Sequence, residues 1–424
     1  MLLVAALGCS VPSQDESVSR SDPTAESRSE RLARVIREYD AQGIHRTGTE
    51  VDTTSAHWLA DLVREAGVEP RLEALDFERT DTVSAFVEVA EEDGSTSRYE
   101  GIPLIDSTET TDENGLTGTL GAPGSDSDIV VARWPPTVQY LPLFHEVRTA
   151  PEVRGLVVVT GGSEFDLPPD VPRPPRFPAG YALINADRYL EPYGHPVLQL
   201  QSEAGAGLVG ARERAAKARL VVAVERVPTR VYNVTATVPG REAEAAPIVV
   251  MTPRSGWWQV ASERGGGLAL WVELLHALRA EPPRRTVHFV ASTGHELGHV
   301  GLDHFLASRR DLIGGAHLWL HLGANFAAAV GGTVRLQASS DSLMERALEA
   351  MSREGVEPGV LTPVSDRPFG EARAIFDGGG SYLSLLGSNG LFHHPDDRWP
   401  ESVDMDTLEK LVGAFVALTV EIAS

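Results

Sequence analysis

Residues 292–301 read STGHELGHVG and place His295, Glu296 and His299 in the spacing H-E-x-x-H. On a helix this spacing sets two imidazoles on one face for a zinc ion, with the glutamate as general base. The neighbours argue for another setting. The apolar run TVHFVAS reads as a strand ending near Ser292, and glycines stand at 294, 298 and 301. Glycine costs about 1 kcal/mol per helical position relative to alanine. The segment is therefore expected to be a strand-to-helix loop. His295 and Glu296 then sit at the carboxyl end of a strand, with His299 one turn on and pointing elsewhere. A helical zinc-protease site is the lesser alternative.

Titratable residues also lie beside other apolar runs: Glu263 in ASERGGGLA, His321 in LWLHLG and His393 in LFHHPDDRW. Each also has a plain structural role open to it, Glu263 as a partner of Arg264 or Arg254 and His321 as a satisfied strand-end histidine. His393 and His394 are adjacent, and neighbours on an extended segment point apart, so one of them at most is expected to act. Trp257, in SGWW, could line an apolar substrate cleft, although aromatics fill cores more often. Arg254 could grip a substrate carboxylate in bidentate fashion, an internal ion pair being the plainer role. A serine-hydrolase elbow, G-x-S-x-G, does not occur.

The elements around these residues define the frame. TTSAHWLADLVREAG reads as a helix capped at Thr54 or Ser55 and stopped at Gly67. APIVVMT, RRTVHFVAST and GAHLWLHLG read as strands alternating with the helical runs GGGLALWVELLHALRA and DSLMERALEAMSREG, and a last helix follows in VDMDTLEKLVGAFVALTVEIA. Such alternation predicts an α/β fold with a central, mostly parallel mixed sheet covered by helices on both faces. Sites in such sheets lie at the carboxyl ends of the strands. Between about 98 and 228 the texture shifts to short β-type runs broken by proline clusters such as LPPDVPRPPRFP, which predicts a separate β-rich insert. The main domain is then 31–97 joined to 229–424.

Taken together, these segments resemble the co-catalytic zinc exopeptidases, the aminopeptidase and glutamate-carboxypeptidase-like family that often carries a protease-associated insert. The resemblance runs from about residue 31 to 424 and rests on HRTGTEVDTTSAHWLADLVREAGVE, TRVYNVTATVPG, GHELG and FHHPDDRWPESVD. It implies peptide substrates and zinc. It also implies metal-ligand positions at Glu263, Glu296, His321 and His393, with His295 where the general base belongs. The match is divergent. The family's His-x-Asp falls on Thr252 and Arg254, neither suited to zinc, and only Glu296 and His393 are the usual residues at their positions. Loss of that first histidine implies one zinc ion in place of two. The expected function is a divergent metal-dependent exopeptidase, with an inactive peptide- or glycan-binding relative as the alternative.

Charge and cysteine usage narrow the setting. The chain has 424 residues, with 60 acidic against 37 basic and a net charge of −23, which argues against a nucleic-acid partner. Its one cysteine, Cys9, closes the apolar start MLLVAALGC. This resembles a lipoprotein signal with Cys9 as the lipidated residue, followed by a polar tether over 10–30. Export and a membrane contact through that anchor alone are the expectation.

Overall fold

The structure is a computed structural model and describes residues 26–108, 110–174 and 176–424. Cys9 and residues 10–25 of the expected tether lie outside the described residues. The end of that tether is helical: the first helix is Arg28–Ala41, capped by Ser27, whose side chain and that of Glu30 form a reciprocal capping box. The signal S-x-x-E was present in SRSE and was masked by its polar surroundings. The next helix, Glu50–Glu65, is capped by Thr49, earlier than the predicted Thr54 or Ser55. Gly67 does terminate it, at a φ of 75° that favours glycine.

The main sheet is as the alternation of strands and helices requires. Ile248–Pro253 lies at its centre, parallel to Val287–Ser292 on one side and to Leu318–Leu322 on the other. Tyr382–Ser388 continues the parallel run, and Thr333–Ala338 adds an antiparallel strand beyond it. Successive residues of the central strand enter different cores. Ile248 and Val250 pack with the helices Arg28–Ala41, Ala261–Ala280 and Met405–Ala423. Val249 and Met251 pack with Leu302, Phe305 and Ile375 on the opposite face. Burial on both faces is why these strands read as unbroken apolar runs. Among the described residues no helix is long and apolar enough to cross a membrane.

The expected boundary at 228/229 needs correction. Lys217–Val238 is one strand of 22 residues, and it pairs along its length with the 21-residue strand Pro70–Ala90. One end of the first strand pairs with Val287–Ser292 of the main sheet and the other with Leu116–Gly121 of the insert. The sheet is therefore continuous through both regions. The change of texture put the boundary within the charged stretch ERVPTR, which sits at the exposed middle of this ribbon, where the strand crosses between cores. The insert packs around two apolar cores, one shared with Leu75, Phe77, Val231 and Trp257 and the other with Ala85, Val87 and Val89 of the main domain, and it is less purely β than expected. Its parallel strands, Leu116–Gly121, Ile129–Arg133, Gly155–Val159 and Val197–Leu200, carry Phe144 of a short helix on one face and Leu208 of Gly205–Glu213 on the other.

Candidate metal centre and its neighbours

Three strands end together at Pro253, Ser292 and Leu322, and the candidate residues gather beyond those ends. After Ser292 the chain does not enter a regular helix. His295–Leu297 is a single 3₁₀ turn flanked by left-handed residues, Gly294 at φ 75°, Gly298 at 81° and His299 at 66°. A Cβ on Gly298 would lie 2.2 Å from the Asp187 carbonyl oxygen, and one on Gly294 would lie 2.0 Å from Val300 Cγ2. Glycine is thus required at both places on steric grounds as well as by φ. The reversal folds His299 back beside His295, with ring centroids 5.0 Å apart. His299 was expected to point elsewhere, and this is corrected: the loop achieves by left-handed turns the pairing that a helix achieves by its pitch.

Both histidines converge on Glu371, and the three offer ligand atoms within 4.8 Å of one another. Glu371 immediately precedes the short helix Ala372–Asp377. His295 Nδ1 lies 2.6 Å from Glu371 Oε1, and His321 Nε2 lies 3.1 Å from Oε2. A carboxylate only accepts, so each of these nitrogens donates. His321 in turn accepts at Nδ1 from the Ser384 hydroxyl at 2.8 Å. Burial pushes His295 down to about 4 and His299 down to about 3. Burial alone would raise Glu371, but the neighbouring histidines and their hydrogen bonds outweigh it and hold the carboxyl well below its usual range. Neutral imidazoles beside an ionised carboxylate are the protonation state in which a metal is bound.

A second cluster adjoins the first and holds the other predicted residues. Glu263 opens the helix Ala261–Ala280, whose first amides donate to Asp397, from Ser262 N at 2.8 Å and Glu263 N at 3.0 Å. His393 lies four residues before Asp397, and its Nε2 faces Glu263 Oε1 at 3.6 Å. His393 Nδ1 donates to the Leu183 carbonyl at 2.5 Å, so Nε2 carries the lone pair. Burial pushes His393 down to about 3 and Glu263 up, the latter opposed by Arg264, whose Nη2 lies 2.7 Å from Glu263 Oε1. Val260, His299, Asn325 and His393 are four of the five non-glycine residues with positive φ among the described residues, and all border these clusters. Backbone strain of this kind concentrates at functional sites.

The remaining sequence candidates are placed differently from expectation. Glu296 is not among the converging ligands: the Thr47 amide and the Ser255 hydroxyl donate to its two oxygens, each at 2.8 Å. It fastens the 45–49 loop and Ser255 to the 3₁₀ turn. Arg254 is buried and fully engaged, with Nη1 on Asp52 and with Nε and Nη2 on the Tyr232 carbonyl, so it cannot reach a substrate. His321 touches Glu371 and orients it. Trp257 is nearly buried but does line a pocket of about 480 Å³ with Trp258, Ile44, Ile102 and Leu183. That pocket borders the second cluster, since Trp258 Nε1 donates to the His393 carbonyl at 2.9 Å.

The insert forms part of the site's wall. Besides Leu183, Asn185 Oδ1 accepts from Trp257 Nε1 at 2.9 Å, and the Ala186 amide donates to the Glu296 carbonyl at 2.9 Å. His299, Glu371 and Arg264 were not among the site residues expected from the sequence. For His299 the H-E-x-x-H spacing was itself the signal. Glu371, in FGEARAIFD, lies far along the chain with no periodicity to mark it.

No protein-family model and no curated protein matches the sequence. Solved structures do match. The zinc aminopeptidase BSAP of Bacillus subtilis superposes at a TM-score of 0.71 with 15% identity, over 93% of this chain and 94% of that one. An aminopeptidase from Aneurinibacillus sp. strain AM-1 gives 0.64 and 13%, over 92% and 93%. A peptidase M28 precursor from Shewanella amazonensis SB2B gives 0.69 and 16%, over 93% and 96%. Across nearly its whole described length, the chain has the fold of the zinc aminopeptidases.

Proposed function

We propose that this chain is a metal-dependent hydrolase of peptides that works with a single zinc ion held by His295, His299 and Glu371. The observation that carries this reading is their convergence at the carboxyl ends of the sheet. Two imidazoles and a carboxylate are the donor set of a catalytic zinc site. When bound there, zinc supplies Lewis acidity and lowers the pKa of a bound water to about 7.

The chain's own residues supply the rest. His321, fixed by Ser384, holds the Glu371 carboxylate in place, as outer partners of metal ligands do. Glu263, raised by burial and free of hydrogen bonds at both oxygens, is suited to accept a proton from an attacking water. This moves the base from His295, where the sequence resemblance put it, because His295 is now committed to the metal. The Trp257–Trp258 pocket is shaped for an apolar side chain of the substrate. Export and anchoring through a lipidated Cys9 belong to the same proposal, and mass spectrometry of the native N-terminus tests them.

The test of the central reading is zinc analysis of purified protein together with turnover of a panel of short peptides. One zinc per chain with hydrolysis supports it, and Glu263→Gln should then keep the zinc while losing about 10²–10⁴-fold in kcat. One zinc with no hydrolysis of any peptide supports a binding protein, a reading that the near-complete burial of Glu263 and His393 favours.

A further inference from the structure

Two buried arginines near the site differ in how their N–H groups are used. Arg254 is satisfied: Nε and Nη2 donate to the Tyr232 carbonyl, and Nη1 to Asp52. Arg264, whose side chain is 0% exposed, donates from Nε to the Ser255 carbonyl at 2.8 Å and makes no other hydrogen bond. Its Nη1 and Nη2 have no hydrogen-bond partner among the described residues, nor do either of the Glu263 oxygens. The 2.7 Å contact between Nη2 and Glu263 Oε1 is thus ionic but not directed along an N–H bond. A guanidinium paired with a carboxylate frequently takes the bidentate form, with two parallel N–H···O bonds. Here that form is absent. Leaving buried donors of a cation unpaired costs free energy, which a purely structural pair would avoid by a small rotation.

Arg264 is also close enough to shape the electrostatics of both clusters, lowering the proton affinity of His295 and of His393. Its one hydrogen bond fixes the plane of the guanidinium through Ser255, the residue whose hydroxyl also holds Glu296 and accepts from the Gly294 amide at 2.8 Å. The cation is therefore tied to the turn that carries His295, with its outer N–H groups unused.

We propose that Arg264 is the oxyanion-binding residue of this site, taking through Nη1 and Nη2 an oxygen of the ligand that bears or develops negative charge. The inference rests on the proposed hydrolase reading for the source of that oxygen, but not for the binding itself. The oxygen is either a free carboxylate of a peptide or the carbonyl oxygen as water adds to it. In the second case the attacking oxygen bonds to the carbonyl carbon, the π electron pair moves onto the carbonyl oxygen, and the proton passes to Glu263. The guanidinium then balances the new charge without giving up a proton.

The test uses the full chain and the variants Arg264→Gln and Arg264→Lys. Calorimetric titration of metal-free protein with acetate should show binding in the wild type, weakened at least tenfold in Arg264→Gln and partly restored in Arg264→Lys. This arm stands even if no peptide is hydrolysed. In zinc-loaded protein, Arg264→Gln should keep one zinc per chain and lose about 10²–10³-fold in kcat, the usual effect of removing an oxyanion donor. An equal loss on peptides with free and amidated carboxyl ends identifies the developing oxyanion, and a loss confined to free carboxylates identifies the ground-state carboxylate. Acetate binding and turnover in Arg264→Gln equal to wild type would overturn the inference.

Discussion

Glu371 and Glu263 are both buried carboxylates at the carboxyl end of the same sheet, and they are provided for in opposite ways. Glu371 receives an imidazole N–H on each oxygen, from His295 and His321. Glu263 receives none on either, although Arg264 and His393 stand beside it. The histidines drive Glu371 well down, while burial drives Glu263 up. The contrast assigns different work to two similar groups. A carboxylate held in orientation and kept ionised suits a ligand, whereas one without a hydrogen bond and raised suits proton exchange.

The largest test of this contrast exchanges ligand loss between the two clusters. Glu371→Ala should remove the zinc and all turnover that depends on it, while His393→Ala should leave the zinc in place. Metal analysis of both variants checks this, and zinc loss in His393→Ala with retention in Glu371→Ala would invert the assignment. Next in size is the support beneath the site. Arg254→Met leaves Asp52 as a buried, unpaired charge, so unfolding free energy should fall by about 3–5 kcal/mol, measured by denaturant titration. The folded fraction should still bind zinc, because Arg254 touches neither cluster. A variant of unchanged stability would show that this buried pair does not support the fold.

A smaller effect is expected at the partner of Glu371. His321→Ala should weaken zinc about 10–100-fold without abolishing it, since His321 orients the ligand and does not itself join the converging set. Competition with a chelator reads this directly. Complete loss of zinc would place His321 among the ligands, as the sequence resemblance implied.

How much of this could be read in the sequence differs between elements for physical reasons. The strands 248–253, 287–292 and 318–322 were legible because burial on both faces makes them continuous apolar runs. The ribbon of 70–90 and 217–238 was not, because its exposed middle carries charges that look like linkers. In the site, His295 was placed by the strand that ends before it, whereas Glu263, His321 and His393 came from the family resemblance. Their grouping was legible from neither. Pairing His299 with His295 depends on three left-handed residues, Gly294, Gly298 and His299, and local spacing does not encode their φ angles. Glu371 arrives from a distant loop, a tertiary fact with no local signature.

The smallest expected effect concerns acid stability away from the metal. His45 stacks on Tyr39 at 3.7 Å, and burial pushes it down to about 3. Its folded-state pKa lies below its unfolded value, so the unfolded chain binds the proton first. The stability His45 contributes is complete above about 6.5 and is lost as pH falls toward 3. Thermal unfolding of wild type and of His45→Phe across this window should show a shallower acid decline in the variant, and parallel curves would contradict the assignment.

The most direct test of the central claim is a crystal structure of the zinc-loaded protein, with the ion located by its anomalous scattering. One peak in contact with His295, His299 and Glu371 is the result predicted here. A peak between Glu263 and His393, with His299 uncoordinated, would contradict it.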